Sequence, residues 1–410
     1  MVRRKTMAGV VTLLAALVAT AGARADDVKA AAAAPAASPA AAPAATGAAP
    51  AAAAEPAKPA PKWYDEITLN AFVSTGYVQN LNDSKVNGLR IFDQDGNTFS
   101  VSVAELVVQK PVAAAGDVGF RADLDFGGLI PQLSVYGGPT GAKLDPIGLR
   151  QAFVSWIAPV GSGLRLDLGK MITLHGFEYI ETFDNPNDNY SRSLLFAYAI
   201  PFTHTGLMLS YTFSPLVKAV VQVVNGWDSA ISQQDGKTVC AQVNLTPSEA
   251  VSIYANYCGG SETVAGGAGT RIAARHLVDL NGTFKITPVI TLGFNGDYGL
   301  ETGSAAGGAD AAWFGAALYL KAESASGWGL ALRGEYFKDR DGVRTLVGKA
   351  PNTEVADTEV TVTPYVKINT RLTVRLEGRV DIADSEIFHR GDGTLTKTQP
   401  TIALNALFAY

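Results

Sequence analysis

The segment Thr401–Tyr410 reads TIALNALFAY, and its alternation decides the fold. Ile402, Leu404, Ala406, Phe408 and Tyr410 fall on one face of a strand, while Ala403, Asn405 and Ala409 fall on the other. A soluble chain rarely ends on its most hydrophobic strand, because termini fray and are usually polar. A closed barrel in lipid has no edge, so its last strand must be paired and must turn an apolar face outward. The competing reading of this segment alone is a short apolar strand closing a soluble sandwich.

The other end of the chain sets the compartment. Arg3, Arg4 and Lys5 precede an apolar run from Met7 to Ala21, and Ala23, Arg24 and Ala25 offer small residues for cleavage. These are the three parts of a secretory leader, here residues 1–25, with a core too short to span a bilayer. No cysteine lies near the cleavage site, which argues against a lipid anchor. Residues 26–62 are nearly all Ala and Pro. Such a tract has too little to bury and reads as a disordered periplasmic tether, or alternatively as a spacer reaching toward peptidoglycan.

Composition narrows the class further. Hydrophobic residues make up 47% and charged residues only 17%, with 42 glycines. A soluble domain carries roughly 25% charge, so a low-charge, Gly-rich exported chain without helical spans points to a membrane barrel. The net charge of −5 disfavours a nucleic-acid partner. Cys240 and Cys258 share an oxidising compartment. However, a turn over Thr246–Glu249 would set Cys240 opposite Ala255. That spacing argues against a disulfide unless a bulge or register shift intervenes.

From residue 63 to residue 410 the chain reads as one all-β domain. Val118, Phe120, Ala122, Leu124 and Phe126 alternate with Gly119, Arg121, Asp123 and Asp125. Leu372, Val374, Leu376, Val380 and Ile382 alternate with Thr373, Arg375, Glu377, Arg379 and Asp381. Connections sort by length. Pro111–Gly116, Pro159–Ser162, Thr246–Glu249, Ser324–Gly327 and Asn369–Thr370 are short. Gly127–Gly148, His175–Phe202, Gly259–Arg271, Lys338–Ala356 and Asp384–Gln399 are long. Short periplasmic turns and long extracellular loops are the pattern of a transmembrane antiparallel up-and-down barrel, here of about 16 strands with 14–18 allowed. Tyr64, Trp156, Tyr211, Phe213, Phe284, Trp328 and Tyr410 gather near the short-turn ends. Phe99, Phe126, Tyr257, Tyr298 and Tyr336 gather near the long-loop ends, so two interfacial belts are expected.

If the apolar stripe faces lipid, the other stripe lines a lumen. The expected inward residues are Glu105, Arg121, Asp123, Asp125, Arg165 and Asp167 early in the barrel. Later come Arg333, Glu335, Lys367, Arg375, Glu377, Arg379 and Asp381. Gln222, Gln242, Asn244, Asn256, Asn295 and Tyr319 serve the middle strands. Hydration of a water-filled lumen is the plainest role for any one of them. The third long loop, HGFEYIETFDNPNDNYSRSLLFAYAIPF (His175–Phe202), is both acidic and apolar. Its apolar tail needs a place to bury, so the loop is expected to fold into the barrel and narrow it. That would set Glu178, Glu181, Asp184 and Asp188, with Arg192, opposite the arginine wall. Facing charges would then filter small polar solutes. An outer cap packed on other loops is the alternative.

A family resemblance follows from several motifs. Asn189-Tyr190-Ser191-Arg192-Ser193, Leu194-Leu195-Phe196, Pro201-Phe202-Thr203-His204-Thr205-Gly206 and Asn225-Gly226-Trp227-Asp228 together resemble the OmpL-like putative β-barrel porins of Gram-negative outer membranes. The likeness is most specific over residues 170–230, and the Ala/Pro tract lies outside it. It implies an outer-membrane porin passing small hydrophilic solutes or ions by passive diffusion, and it assigns no solute. A channel selective for one nutrient class, or a structural barrel tethering the envelope, would share the fold. The terminal aromatic resembles the signal read by the barrel-assembly machinery. Outer-membrane lipid is the other expected partner, and trimers are common among such barrels.

Chemistry finds little support. His175, His204, His276 and His389 are scattered, and no Gly-x-Ser-x-Gly, His-Glu-x-x-His, phosphate loop or CxxC occurs. His204 reads as a hydrogen-bonded loop anchor. No enzyme activity, cofactor or metal site is expected. No plug domain is legible before the barrel, which argues against an energised siderophore transporter.

Overall fold

The computed structural model describes residues 62–128, 147–232, 234–266, 269–346 and 353–410. The leader and, but for Lys62, the Ala/Pro tract lie outside the described residues.

Sixteen antiparallel strands close into one barrel. They are β1 (Thr68–Asn80), β2 (Thr98–Lys110), β3 (Val118–Phe126), β4 (Ile147–Ala158), β5 (Leu164–Ile172), β6 (Thr203–Thr212), β7 (Val217–Val224) and β8 (Thr238–Ser248) in the first half. The second half holds β9 (Val251–Gly266), β10 (Gly269–Lys285), β11 (Ile290–Glu301), β12 (Ala311–Glu323), β13 (Trp328–Asp339), β14 (Val355–Lys367), β15 (Leu372–Ala383) and β16 (Thr398–Ala409). Each strand pairs with its sequence neighbours, and β16 closes on β1 with Phe72 opposite Ala409 and Asn80 opposite Thr401. No helix among the described residues is long and apolar enough to cross a membrane.

The period-two pattern resolves into two faces. On β14, Asp357, Glu359, Thr361, Thr363 and Tyr365 are buried, whereas Thr358, Val360, Val362 and Pro364 are exposed. Polar side chains inside and apolar ones outside invert the arrangement of a soluble sheet and match a barrel in lipid. On β16 the outward stripe is Ile402, Leu404, Ala406, Phe408 and Tyr410, and Asn405 turns inward as expected. The aromatic belts are present as exposed rings. Tyr64, Trp156, Phe213, Trp328 and Tyr410 ring the short-turn end, and Phe99, Phe126, Tyr257, Tyr298 and Tyr336 the long-loop end. The Arg371 guanidinium, in the last short turn, lies 4.4 Å from the Tyr410 ring.

Two expectations require correction. Cys240 and Cys258 are disulfide-bonded, with their Cα atoms 4.0 Å apart as direct cross-strand partners. Pro247 belongs to β8 rather than to the turn, the register shifts between Leu245 and Ser248, and Ser248 pairs with Val251. The turn falls at Glu249–Ala250, two residues later than expected, which moves the pairing by four positions; the bulge takes one back, and the two cysteines come level. Likewise, Gly259–Arg271 is not an open loop. Strands β9 and β10 continue to Gly266 and Gly269, because a ladder needs only backbone groups and inward Glu262 is held by Trp227 and Thr238.

Leu404 sits mid-strand on the lipid face. Leu404→Arg should destabilise the refolded barrel by about 2–4 kcal/mol, read from denaturant refolding into vesicles.

Candidate functional site

The third outer loop, residues 173–202, threads through the barrel interior. Leu194, Leu195, Phe196, Ala199 and Ile200 are buried in one apolar cluster with Trp313, Phe337, Phe92 and Trp227. The short helix Leu195–Ala199 is tied to the wall by Trp313, whose Nε1 donates to the Ala199 carbonyl at 3.0 Å. A loop inside a barrel cannot leave its peptide groups unpaired. The wall supplies the partners.

Carboxylates of the wall accept from loop amides. Glu377 takes the N–H groups of Tyr190 (2.6 Å) and Ser191 (3.0 Å), and Glu335 those of Leu194 (2.7 Å) and Leu195 (3.2 Å). Glu105 takes the Thr182 hydroxyl at 2.8 Å and the Phe183 amide at 3.1 Å. Guanidiniums of the wall donate to loop carbonyls. Arg333 reaches Ser191 (2.8 Å), Arg375 reaches Asn187 (2.6 Å) and Arg379 reaches Arg192 (2.6 Å). Arg192 in turn donates to the carbonyls of Tyr179 and Tyr190, cross-linking the loop to itself.

Each expected loop acid meets a wall cation. Glu178 pairs with Arg333 at 2.6 Å, Glu181 with Arg375 at 2.8 Å, Asp184 with Arg121 at 2.6 Å and Asp188 with Lys321 at 2.7 Å. The opposite charges therefore touch rather than face one another across water. Behind them runs a second layer of buried pairs: Arg333 with Glu359, Arg379 with Asp381, Arg121 with Asp123 and Arg150 with Asp125. Arg165 and Asp167 are not brought to the loop, whereas Lys367 borders a small cavity with loop residues Pro186, Asn187 and Asp188 without pairing with a loop acid. All three lie toward the short-turn end, where Arg165 pairs with Asp167 at 2.9 Å and Lys367 with Glu323 at 2.5 Å.

Several members of this network were missed by the periodicity. Arg150 and Gln151 are adjacent in sequence yet both buried, because the β3–β4 pairing shifts register between Asp123 and Leu124. Arg90, from the first outer loop, bonds Asp93 (2.6 Å) and Asp381 (2.9 Å), and no strand pattern could place it. Glu359 was legible, since it alternates with Thr358 and Val360. On the middle strands Asn281 and Asn295 converge on Asp279 at 2.9 and 2.6 Å, joined by Asn256, and Asn295 also receives the Phe177 amide.

Cavities flank the loop. One of about 400 Å³ is lined by Phe177, Tyr179, Asp188, Tyr254 and Lys321 toward the short turns. Another, of about 270 Å³, is lined by Gln151, Met171, His175, Met208 and Gln242. On the long-loop side, about 280 Å³ is bordered by Tyr198, Trp227, Gln234, Arg275 and Arg344. Burial and the nearby Arg275 guanidinium push Arg344 down to about 10.

A closed barrel with a lipid-facing apolar surface, a charged interior and an in-folded third loop defines a transmembrane channel of the porin class. The family model described as "Putative beta-barrel porin-2, OmpL-like" matches residues 66–410, and the chain belongs to that family. It is an integral outer-membrane porin.

Three solved structures illustrate the likeness of fold. The outer membrane channel DcaP of Acinetobacter baumannii is 12% identical, with a TM-score of 0.57 over 84% of this chain and 97% of that one. The anion-selective porin from Comamonas acidovorans is 10% identical, with a TM-score of 0.56 over 84% and 99%. Outer-membrane expressed OmpT of Vibrio cholerae is 10% identical, with a TM-score of 0.55 over 84% and 97%. A comparison with curated protein sequences finds no match.

Removing Glu377 strands two buried amides, each costing about 1–3 kcal/mol. Glu377→Ala should speed hydrogen exchange at Tyr190 and Ser191 by roughly ten- to a hundredfold, with strand amides of β13–β15 little changed.

Proposed function

We propose that the third outer loop is the constriction of a passive channel for small hydrophilic solutes or ions. The observation that carries this reading is the pairing of all four loop acids with wall cations, which holds the loop across the lumen. On this reading the lumen-side set Glu105, Arg121, Asp123, Asp125, Arg333, Glu335, Arg375, Glu377, Arg379 and Asp381 anchors the loop, and of these Arg121 is the one partly open to the pore. Arg165, Asp167 and Lys367 act at the short-turn mouth. The protein works as a channel without catalysis.

A second reading, a channel selective for one nutrient class, is favoured by one feature. The apolar stretch Leu194–Ile200 sits inside the barrel, with Phe196 bordering one inner cavity and Ala197 and Tyr198 the outer one, an apolar element that bulk hydrophilic solute would have to pass. Export on a cleaved leader over residues 1–25, a periplasmic Ala/Pro tether over 26–62 and assembly through the C-terminal strand complete the proposal. So does a homotrimer, a form described for the Vibrio cholerae protein.

Planar-bilayer recording tests both readings. Deletion of Phe177–Asn189 should raise single-channel conductance, and an unchanged conductance would sink the constriction. Block of the wild-type current by a single class of solute would favour the selective channel over the general one. Asp188→Asn should shift the reversal potential in a salt gradient toward anion preference, because it removes a partly exposed negative charge beside the cavity of about 400 Å³.

A further inference from the structure

The interior beside the third loop gathers the barrel's soft donor atoms. Cys240, Cys258 and His204 are fully buried, and their ligand atoms lie within 4.8 Å of one another. His175 is also buried, and its Nε2 has no hydrogen-bond partner. Its ring centroid is 6.5 Å from that of His204. Thr173 bridges the pair, its hydroxyl 3.2 Å from His175 Nδ1 and 3.5 Å from His204 Nε2. Met171, the cross-strand partner of His204, and Met208 line the adjoining cavity of about 270 Å³.

We infer that this cluster is a redox-gated site for a zinc-class d10 ion, held by the Cys240 and Cys258 thiolates with His204 and His175. Two thiolates and two imidazoles are a preferred donor set for such ions. With Zn–S near 2.3 Å and Zn–N near 2.0 Å, tetrahedral ligands sit about 3.5–3.8 Å apart. In the disulfide the two sulfurs are bonded to each other, so that spacing is reached only when the bond is reduced and the thiolates turn apart, with the His204 ring already within 4.8 Å of both. The His204 Nδ1 faces the Gly226 carbonyl at 3.3 Å. Donation there leaves the Nε2 lone pair for a metal and fixes the ring, as outer partners of metal-bound histidines do. The adjoining cavity reaches Thr173 and His175 and provides an entry.

The disulfide is the closed state of this site. A small thiol reductant opens it: two reductant thiols become one disulfide as the Cys240–Cys258 bond takes up two electrons and two protons. The ion then displaces those two protons from the thiols. The site goes beyond the porin reading and does not depend on it.

The test uses the full chain, refolded in detergent, with zinc and cobalt as probes. A water-soluble phosphine serves as reductant, since it competes weakly for metal and becomes the phosphine oxide with the oxygen of one water. After gel filtration the reduced chain should retain about one zinc, and cobalt should give a thiolate-to-metal charge-transfer band in the near ultraviolet. The oxidised chain and the C240S/C258S double variant should retain none, with folding confirmed by heat-modifiable migration on gels. His204→Ala should weaken zinc binding by roughly tenfold or more. Equal zinc in oxidised and reduced chains, or reduced-chain binding that ignores loss of His204, would overturn the site.

Discussion

A peptide group inside a lipid-enclosed barrel has few places to find a hydrogen bond. That constraint governs the interior. An irregular loop of this length carries many amides and carbonyls that no ladder satisfies, and burying one unpaired is costly. The wall charges answer this directly. Glu335 and Glu377 each accept two consecutive loop amides, while Arg333, Arg375 and Arg379 donate to loop carbonyls. Isolated buried charges would be unstable, but here each guanidinium lies against a carboxylate and each carboxylate against N–H donors. Loop conformation and wall charge are thus one feature seen from two sides.

This explains why so much of the site was legible. The alternation over Leu372–Ile382 places Arg375, Glu377, Arg379 and Asp381 on a single face, and a run of charges on the non-apolar face of a lipid-embedded strand must point inward. The acids of the third loop are legible by complementarity, and the apolar Leu194–Ile200 by its need for burial. The closure of β16 on β1 follows from the absence of a free edge.

Much of what was not legible comes from strand register. Period-two reading assumes that register is conserved along a strand, and a single bulge breaks it. At Arg150–Gln151 a bulge puts two successive side chains inside. Between β8 and β9 the turn falls later, at Glu249–Ala250, and together with a bulge at Leu245–Ser248 this joins Cys240 to Cys258. Arg90 is a third case of a different kind, a loop residue whose partner Asp381 lies 291 positions away in sequence. The same blindness hid the sulfur and imidazole cluster, whose members come from β6, β8, β9 and the third loop and share no sequence spacing.

Contact between opposite charges also changes where selectivity would arise. Arg333 and Arg379 are entirely enclosed by their partners, so their fields are largely cancelled before they reach water. The Lys321–Asp188 pair is different: its side chains are 33% and 39% exposed and border the cavity of about 400 Å³. Asp184, 34% exposed against Arg121, is similar. On the proposed reading a passing ion senses these half-solvated pairs, whose influence falls off within about 8–10 Å at physiological salt. The buried network would then set the loop's position and the exposed pairs the sign of the preferred ion. A discriminating channel can therefore keep its scaffold charges unchanged and adjust preference at two or three rim residues.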